Sequence, residues 1–158
     1  MHGGRVLTRA RAALAAAIAL VVVAAVGWWS AHRGPDVAPA PQAVTAACAK
    51  AAAAYPASLG RLARGDLDVT AAATYGDPAV VVRCGMPPLG PTSDECVDIS
   101  GIDWVVHPLS DGTRLTTYGR SPAIEVLVPS AHSPAPMLVP ALHDAAAALP
   151  ATGHRCIG

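Results

Sequence analysis

The sequence predicts an α+β fold, in which a small antiparallel sheet carries two helices on one face and a single N-terminal transmembrane helix precedes it. Three observations predict this fold. Residues 12–29 form an uncharged apolar run, the middle of the chain holds short β-branched runs bounded by Gly and Pro, and a helical segment stands on either side of that middle part. Two helices with one apolar stripe each can cover one face of such a sheet.

Residues 12–31 are predicted to cross a membrane as a helix, because a hydrocarbon core of about 30 Å needs roughly 20 apolar residues. Three arginines precede this segment, and Trp28-Trp29 stands where aromatic side chains anchor a helix at the membrane surface. We therefore expect residues 1–11 in the cytoplasm and the rest of the chain outside it. Two alternatives remain open, a secretory signal that is cleaved and a lipoprotein modified at Cys48.

Residues 32–45 are predicted to form a Pro-rich linker, and residues 46–158 an extracytoplasmic domain. The segment 36–158 carries seven Lys and Arg residues against eleven Asp and Glu residues, which gives a formal charge of −4. A nucleic-acid partner would require a basic face, so this class of partner is excluded. The expected partners are the membrane, through residues 12–31, and an unidentified protein or wall component of the cell envelope.

All four cysteines lie in the extracytoplasmic domain, at positions 48, 84, 96 and 156. An even number of cysteines in an oxidising compartment predicts two disulfides, for which three connectivities are possible. The positions lack the close Cys pairs that are typical of zinc sites, and we expect no metal and no other cofactor. Free thiols remain the alternative to disulfides.

The domain is predicted to begin with a helix over residues 44–55, which Pro56 ends, and with a short turn through Leu59 and Leu62. Residues 65–75 have no clear periodicity and are predicted to form a loop. Residues 79–84 are β-branched and predict a strand, and the Pro-rich residues after Gly85 predict another loop.

The clearest local signal is a hairpin in which Asp111-Gly112 joins two runs typical of strands, residues 102–109 and 114–120. Asp-Gly favours a two-residue turn, because both positions of that turn have positive φ. This turn predicts the following opposed pairs: Asp103 with Arg120, Val105 with Tyr118, His107 with Thr116, Trp104 with Gly119, and Val106 with Thr117.

A further strand is predicted over residues 123–128 and a final helix over residues 137–149, which Pro150 ends. Seven apolar side chains at alternating strand positions are predicted to face the helices: Val80, Val82, Trp104, Val106, Ile124, Val126 and Val128.

Several of these segments resemble the actinobacterial DUF3515 family over about residues 46–150. The resemblance is carried by Cys48 with its helix, Tyr75-Gly-Asp-Pro-Ala-Val-Val-Val-Arg-Cys-Gly85, Gly101-Ile-Asp-Trp104, Thr116-Thr-Tyr-Gly-Arg120 and Glu125-Val-Leu-Val-Pro129. It implies a small exported or membrane-anchored protein of unknown function, with no catalytic residue to assign. It also implies that Cys48 pairs with Cys84, which leaves Cys96 with Cys156. The family typically has Trp in place of Tyr75.

The strand face away from the helices is predicted to gather polar side chains into a candidate binding surface: Arg83, Asp103, His107, Tyr118, Arg120 and Glu125. We favour a non-catalytic envelope module that binds a partner through this surface. An ordinary solvated face with weak ion pairs is the simpler interpretation of the same residues, since alternating strands produce such faces routinely. A small exported thiol, redox or hydrolytic enzyme that uses Cys84 and His107 is the alternative function.

Overall fold

The computed structural model describes residues 17–25, 27 and 35–157, and the chain divides into two compact units, Met1–Pro35 and Asp36–Gly158. In the first unit, residues 17–25 are helical and their side chains are exposed. No helix within the described residues is both long enough and apolar enough to span a bilayer. The two ends of the predicted transmembrane helix, and the predicted cytoplasmic residues 1–11, lie outside the described residues.

The second unit is an α+β domain built on an antiparallel sheet, which confirms the predicted class. Its strands are β1 Ser58–Leu59, β2 Leu62–Gly65, β3 Ala72–Tyr75, β4 Val80–Met86, β5 Glu95–Ile99, β6 Ile102–Pro108, β7 Gly112–Thr117 and β8 Ala123–Pro129. Its helices are α1 Ala46–Ala53 and α2 His143–Ala147, with 3-10 turns at Ser130–His132, Ala135–Met137 and Val139–Leu142. The strand order is β1-β2-β3-β4-β8-β7-β6-β5, a wider sheet than the sequence predicts.

One face of the sheet forms the core with α1, α2 and the turns that precede α2. Both helices contribute buried side chains to this core, among them Ala51 from α1 and Ala145 from α2. Of the seven side chains predicted to face the helices, six are at most 3% exposed, and Val106 is partly buried against the same cluster. The alternation of the strands therefore assigned the core face correctly.

Helix α1 begins because Thr45 caps it, with the Thr45 hydroxyl accepting a hydrogen bond of 3.3 Å from the backbone N–H of Cys48. The helix ends before Pro56, as predicted. The predicted turn through Leu59 and Leu62 is instead the hairpin of β1 and β2, in which Gly60 has φ +58°. A two-residue turn of this kind needs a positive φ, which glycine adopts without steric cost.

Two buried tyrosines join the segment that follows α1 to β3 and the residue before it. The Tyr55 hydroxyl donates to Ala71 O at 3.1 Å, and the Tyr75 hydroxyl donates to Pro56 O at 3.0 Å. Burial raises the pKa of both hydroxyls above their usual value, because the charged form would lose its hydration.

The structure corrects the prediction of a loop over residues 65–75. Residues Ala72–Tyr75 form β3, pair with β4 and are all buried, so tertiary pairing overrides the weak strand preference of Ala-Ala-Thr. Strand β4 also runs past Cys84 to Met86, with an irregular register around Gly85.

Part of the predicted linker belongs to the compact domain. Ala40 and Ala43 are buried, and the backbone N–H of Gln42 donates to Gly85 O at 2.9 Å. Gly85 has φ +116°, and a Cβ there would lie 2.6 Å from the carbonyl carbon of Gln42, so the position requires glycine.

The predicted register of the β6–β7 hairpin is wrong by two residues. Trp104 pairs with Thr117, Val105 with Thr116 and His107 with Arg114, so Ser110-Asp111 forms the two-residue loop in place of Asp111-Gly112. A shift of two positions keeps every side chain on its predicted face, because strand side chains alternate with a period of two. The turn with two positive φ angles lies between β5 and β6 instead, at Ser100 and Gly101.

The prediction of one continuous helix over residues 137–149 is also wrong. Two 3-10 turns, which end at Met137 and Leu142, precede the short helix α2. Pro140 lacks the N–H that a continuous helix would need and its ring clashes with the preceding turn. Leu142 and Leu149 are nevertheless buried, as the helical spacing predicts.

Candidate functional site

The outer face of the sheet, which is the face away from α1 and α2, carries the predicted binding residues in several separate groups. Arg83 and Glu125 contact each other across β4 and β8. Asp103, Tyr118 and Arg120 come together beside the C-terminal residues, where the Tyr118 backbone N–H donates to Asp103 O at 2.8 Å and all three residues line one small cavity. His107 instead contacts Asp94, which is outside the predicted set. The six residues are therefore not one continuous cluster, and binding through them stays a prediction.

Arg83 and Glu125 form the most buried ion pair of the outer face. Arg83 Nε donates to Glu125 Oε1 at 2.7 Å and Arg83 Nη2 lies 2.6 Å from the same oxygen. The Glu125 side chain is only 6% exposed and that of Arg83 is 22% exposed. Arg83 Nη1 also donates to Ala38 O at 3.3 Å, so the pair holds the residues before α1 against the sheet.

Asp103 is buried under the C-terminal tail, residues 151–157, and does not pair with Arg120 as the hairpin prediction expects. Arg155 Nε lies 2.8 Å from Asp103 Oδ2, and the backbone N–H of Cys156 donates to the same oxygen at 3.1 Å. Arg120 instead donates from Nη1 to Leu149 O at 2.9 Å. The correct register moves Arg120 beyond the end of β7, where it holds the segment after α2.

His107 and Tyr118 make separate contacts on the outer face. His107 Nδ1 is 2.9 Å from Asp94 Oδ2, and both side chains are more than one-third exposed. The Tyr118 ring stacks on His154, with ring centroids 6.1 Å apart. Each contact joins the sheet to a covering segment, the loop before β5 in the first case and the C-terminal tail in the second.

All four cysteines are paired, which confirms two disulfides. Cys48 is bonded to Cys84 and Cys96 to Cys156, the connectivity that the resemblance implies. Cys84 is fully buried on the core face, whereas His107 lies on the outer face, so the structure contradicts a catalytic pair of these two residues. A Cys48 that is bonded to Cys84 also has no thiol for a lipid, which argues against a lipoprotein.

A groove of about 290 Å³ lies on the outer face, between the loop that follows β4 and the strands β7 and β8. Residues 86–90 form one wall, and Arg114, Thr116 and Glu125 line the other side. The predicted surface contained Glu125 but missed Arg114 and Thr116. Both could have been found from the alternation of β7, because they share the parity of Tyr118, which was assigned to this face.

Arg114 is a cation without an ionic partner in the described part of the chain, where the ion pairs engage Arg83, His107 and Arg155. Within residues 35–157, no three His, Cys, Asp or Glu side chains are arranged to hold a metal ion. The groove therefore offers an arginine, a hydroxyl and a carboxylate for non-covalent binding.

These observations define a small α+β domain with two disulfides and a polar groove on the outer face of its sheet. The chain belongs to the DUF3515 family, whose description is a protein of unknown function, and the match covers residues 10–152. No curated protein and no solved structure matches the chain.

Proposed function

We propose that the protein is a membrane-anchored extracytoplasmic module that binds a component of the cell envelope without catalysis, and that the outer-face groove is its binding site. Residues 12–31 serve as the membrane anchor, with the N-terminus inside and the domain outside. The observation that carries the binding role is the groove itself, where Arg114 faces a cleft without an ionic partner among the described residues.

Export is supported by the cysteines. Both disulfides lie within one compact unit, and the described residues contain no free cysteine. Disulfides persist in oxidising compartments and are rare in the cytosol. The uncharged run of residues 12–29, with its arginines on the N-terminal side, supplies a route out of the cytoplasm and favours this orientation.

The non-catalytic character is supported by the contacts of the polar side chains. Cys84 is bonded to Cys48, Asp103 is covered by the C-terminal tail, and Glu125 is held by Arg83. Each of these groups therefore has a structural role, and Arg114 and Thr116 in the groove are suited to hold a ligand by hydrogen bonds.

The localisation is tested by a β-lactamase reporter fused to the C-terminus of the full chain. We expect cells that carry the fusion to resist a β-lactam, and resistance to disappear when residues 12–31 are deleted. Carbonate washing should leave the intact protein in the membrane pellet. Sensitive cells, or a fusion released by carbonate as a shortened chain, would contradict the anchored topology.

The binding role is tested by proximity labelling from the domain in a native envelope. The Arg114→Glu variant reverses the charge in the groove, and Arg61→Glu is the matched control, because Arg61 is exposed in the turn between β1 and β2. We expect an envelope component that the wild type and Arg61→Glu label and that Arg114→Glu does not. Identical labelling by all three proteins would contradict a role for the groove.

A further inference from the structure

The groove arranges three polar side chains in a fixed pattern on two neighbouring strands. Arg114 and Thr116 are two residues apart on β7 and so lie on the same face, and Thr116 is directly opposed to Glu125 on β8. Arg114 is the diagonal neighbour of Glu125, and such neighbours are about 7–8 Å apart, with their Cβ atoms somewhat closer. A single small ligand can therefore contact both residues, but through two different groups.

Glu125 keeps one carboxylate oxygen for a ligand. Both contacts from Arg83 are made to Oε1, at 2.6 and 2.7 Å. No described side chain has a fully buried nitrogen or oxygen without a partner, so Oε2 retains some exposure to solvent, and Glu125 lines the groove. An ionised carboxylate only accepts hydrogen bonds, so Oε2 requires a donor on the ligand.

The charge of that donor follows from Arg83. Because Arg83 already neutralises Glu125, the pair has little attraction left for a cation. A neutral hydroxyl group is therefore a better donor for Oε2 than an ammonium group.

Arg114 sets the charge of the other end of the ligand. Its guanidinium group has five N–H donors in a planar fork that matches a carboxylate or a phosphate. His107 lies opposite Arg114 on β6 and contacts Asp94, so the Asp94 carboxylate already has a partner other than Arg114. With Arg83 and Glu125 cancelling each other, Arg114 leaves the groove with a net positive charge and selects an anion.

The wall and the volume of the groove limit the size of the ligand. Residues 86–89 are Met-Pro-Pro-Leu, an apolar wall whose two prolines have no N–H to donate. A volume of about 290 Å³ is just below the usual range for ligand pockets, which begins at about 300 Å³. This space suits one ring-sized unit that has an apolar side and polar substituents.

We propose that the groove binds a hydroxylated anion, meaning a ring-sized unit with a carboxylate or phosphate for Arg114 and a hydroxyl group for Glu125 Oε2. The unit is either a free molecule or the end of an envelope polymer. This assignment rests on the proposed function and names the chemistry of the ligand that the groove takes.

The test is a binding titration of the full chain in detergent micelles with four probes: glucuronate, glucose 6-phosphate, glucose and inorganic phosphate. We expect one or both sugar anions to bind, and glucose and inorganic phosphate to bind at least tenfold more weakly. The Arg114→Gln variant should bind the sugar anion about 10- to 100-fold more weakly, because a hydrogen-bonded contact between charged groups is lost. Arg61→Gln, outside the groove, should leave binding unchanged.

Equal binding of glucose and glucuronate, or no effect of Arg114→Gln in a protein that keeps its melting temperature, would overturn the anion requirement. Equal binding of inorganic phosphate and glucose 6-phosphate would overturn the role of the hydroxyl group. If no probe binds, the ligand class is overturned, while proximity labelling that still depends on Arg114 would leave the proposed function standing. If no probe binds and the proximity labelling does not depend on Arg114 either, both proposals fail.

Discussion

Replacing Cys48 and Cys84 together by serine should destabilise the domain far more than replacing Cys96 and Cys156 together. The two bridges close loops of 36 and 60 residues. By loop entropy alone, each bridge should stabilise the folded domain by about 4 kcal/mol. Loop length therefore predicts nearly equal costs, with the longer loop slightly more expensive to lose. The surroundings of the two bridges predict a clear difference.

The Cys48–Cys84 bridge joins α1 to β4 and is fully buried in the core. Serine at both positions would add buried hydroxyl groups without partners, at about 1–3 kcal/mol each, to the loss of the bridge. We expect the total loss to exceed 5 kcal/mol, which is comparable to the whole stability of a small domain.

The Cys96–Cys156 bridge holds only the C-terminal tail on the outer face. When this bridge is absent, the tail can detach, and water can then solvate Asp103 in place of Arg155 and the Cys156 N–H. No hydroxyl group is buried without a partner in this variant, and detachment of the tail offsets part of the loop-entropy cost, so we expect a loss of about 2–4 kcal/mol.

Urea unfolding of the oxidised full chain measures both losses, and hydrogen exchange reports whether residues 151–157 detach. Equal losses for the two double variants, or a tail that keeps its protection without the bridge, would refute this reasoning. The wild type under reducing conditions provides a comparison in which both bridges are open.

Three smaller perturbations test other contacts. Because burial raises the pKa of Tyr55 and Tyr75, the unfolded chain loses these protons first, so the contribution of the two hydroxyls to stability should be constant below about pH 10 and fall above it. Urea midpoints above pH 10 should fall less steeply in Tyr55→Phe, and an unchanged slope would contradict the assignment. Gly85→Ala should cost about 1–3 kcal/mol, since φ is +116° and the new Cβ would clash with backbone, whereas Gly90→Ala, with nothing within 4 Å, should cost little in the same assay. Thr45→Ala should cost about 1 kcal/mol by thermal unfolding through loss of the α1 cap, and Thr45→Ser should restore most of it; equal losses would exclude the cap.

The alternation of side chains was predictable from the sequence, and the pairing of strands was not. Val82 and Val126 were assigned to the core because a period of two survives any shift of register by two residues. The register itself depends on the turn, and Asp111-Gly112 was a misleading signal because the strands close around Ser110-Asp111. Neither the turn with two positive φ angles, at Ser100-Gly101, nor the strand β5 is predicted from the sequence.

The candidate site was predictable only in part for a related reason. Glu125 and Arg83 follow from alternation as outer-face residues, but their contact depends on the pairing of β4 with β8, which the sequence does not predict. The groove also needs the loop of residues 86–90, whose course depends on tertiary packing and leaves no local pattern in the sequence. Arg114 itself was predictable as an outer-face residue, because the alternation of β7 places it on this face in either register.

The measurement that tests the central claim most directly is the state of the four cysteines in growing cells. Cells are quenched with acid, and the full-length protein is treated with a mass-tagged maleimide before and after reduction. The account predicts no tag before reduction and four tags after it, because both bridges form once the domain is outside the cytoplasm. Four tags without reduction would place the domain in a reducing compartment and contradict the account of an exported binding module.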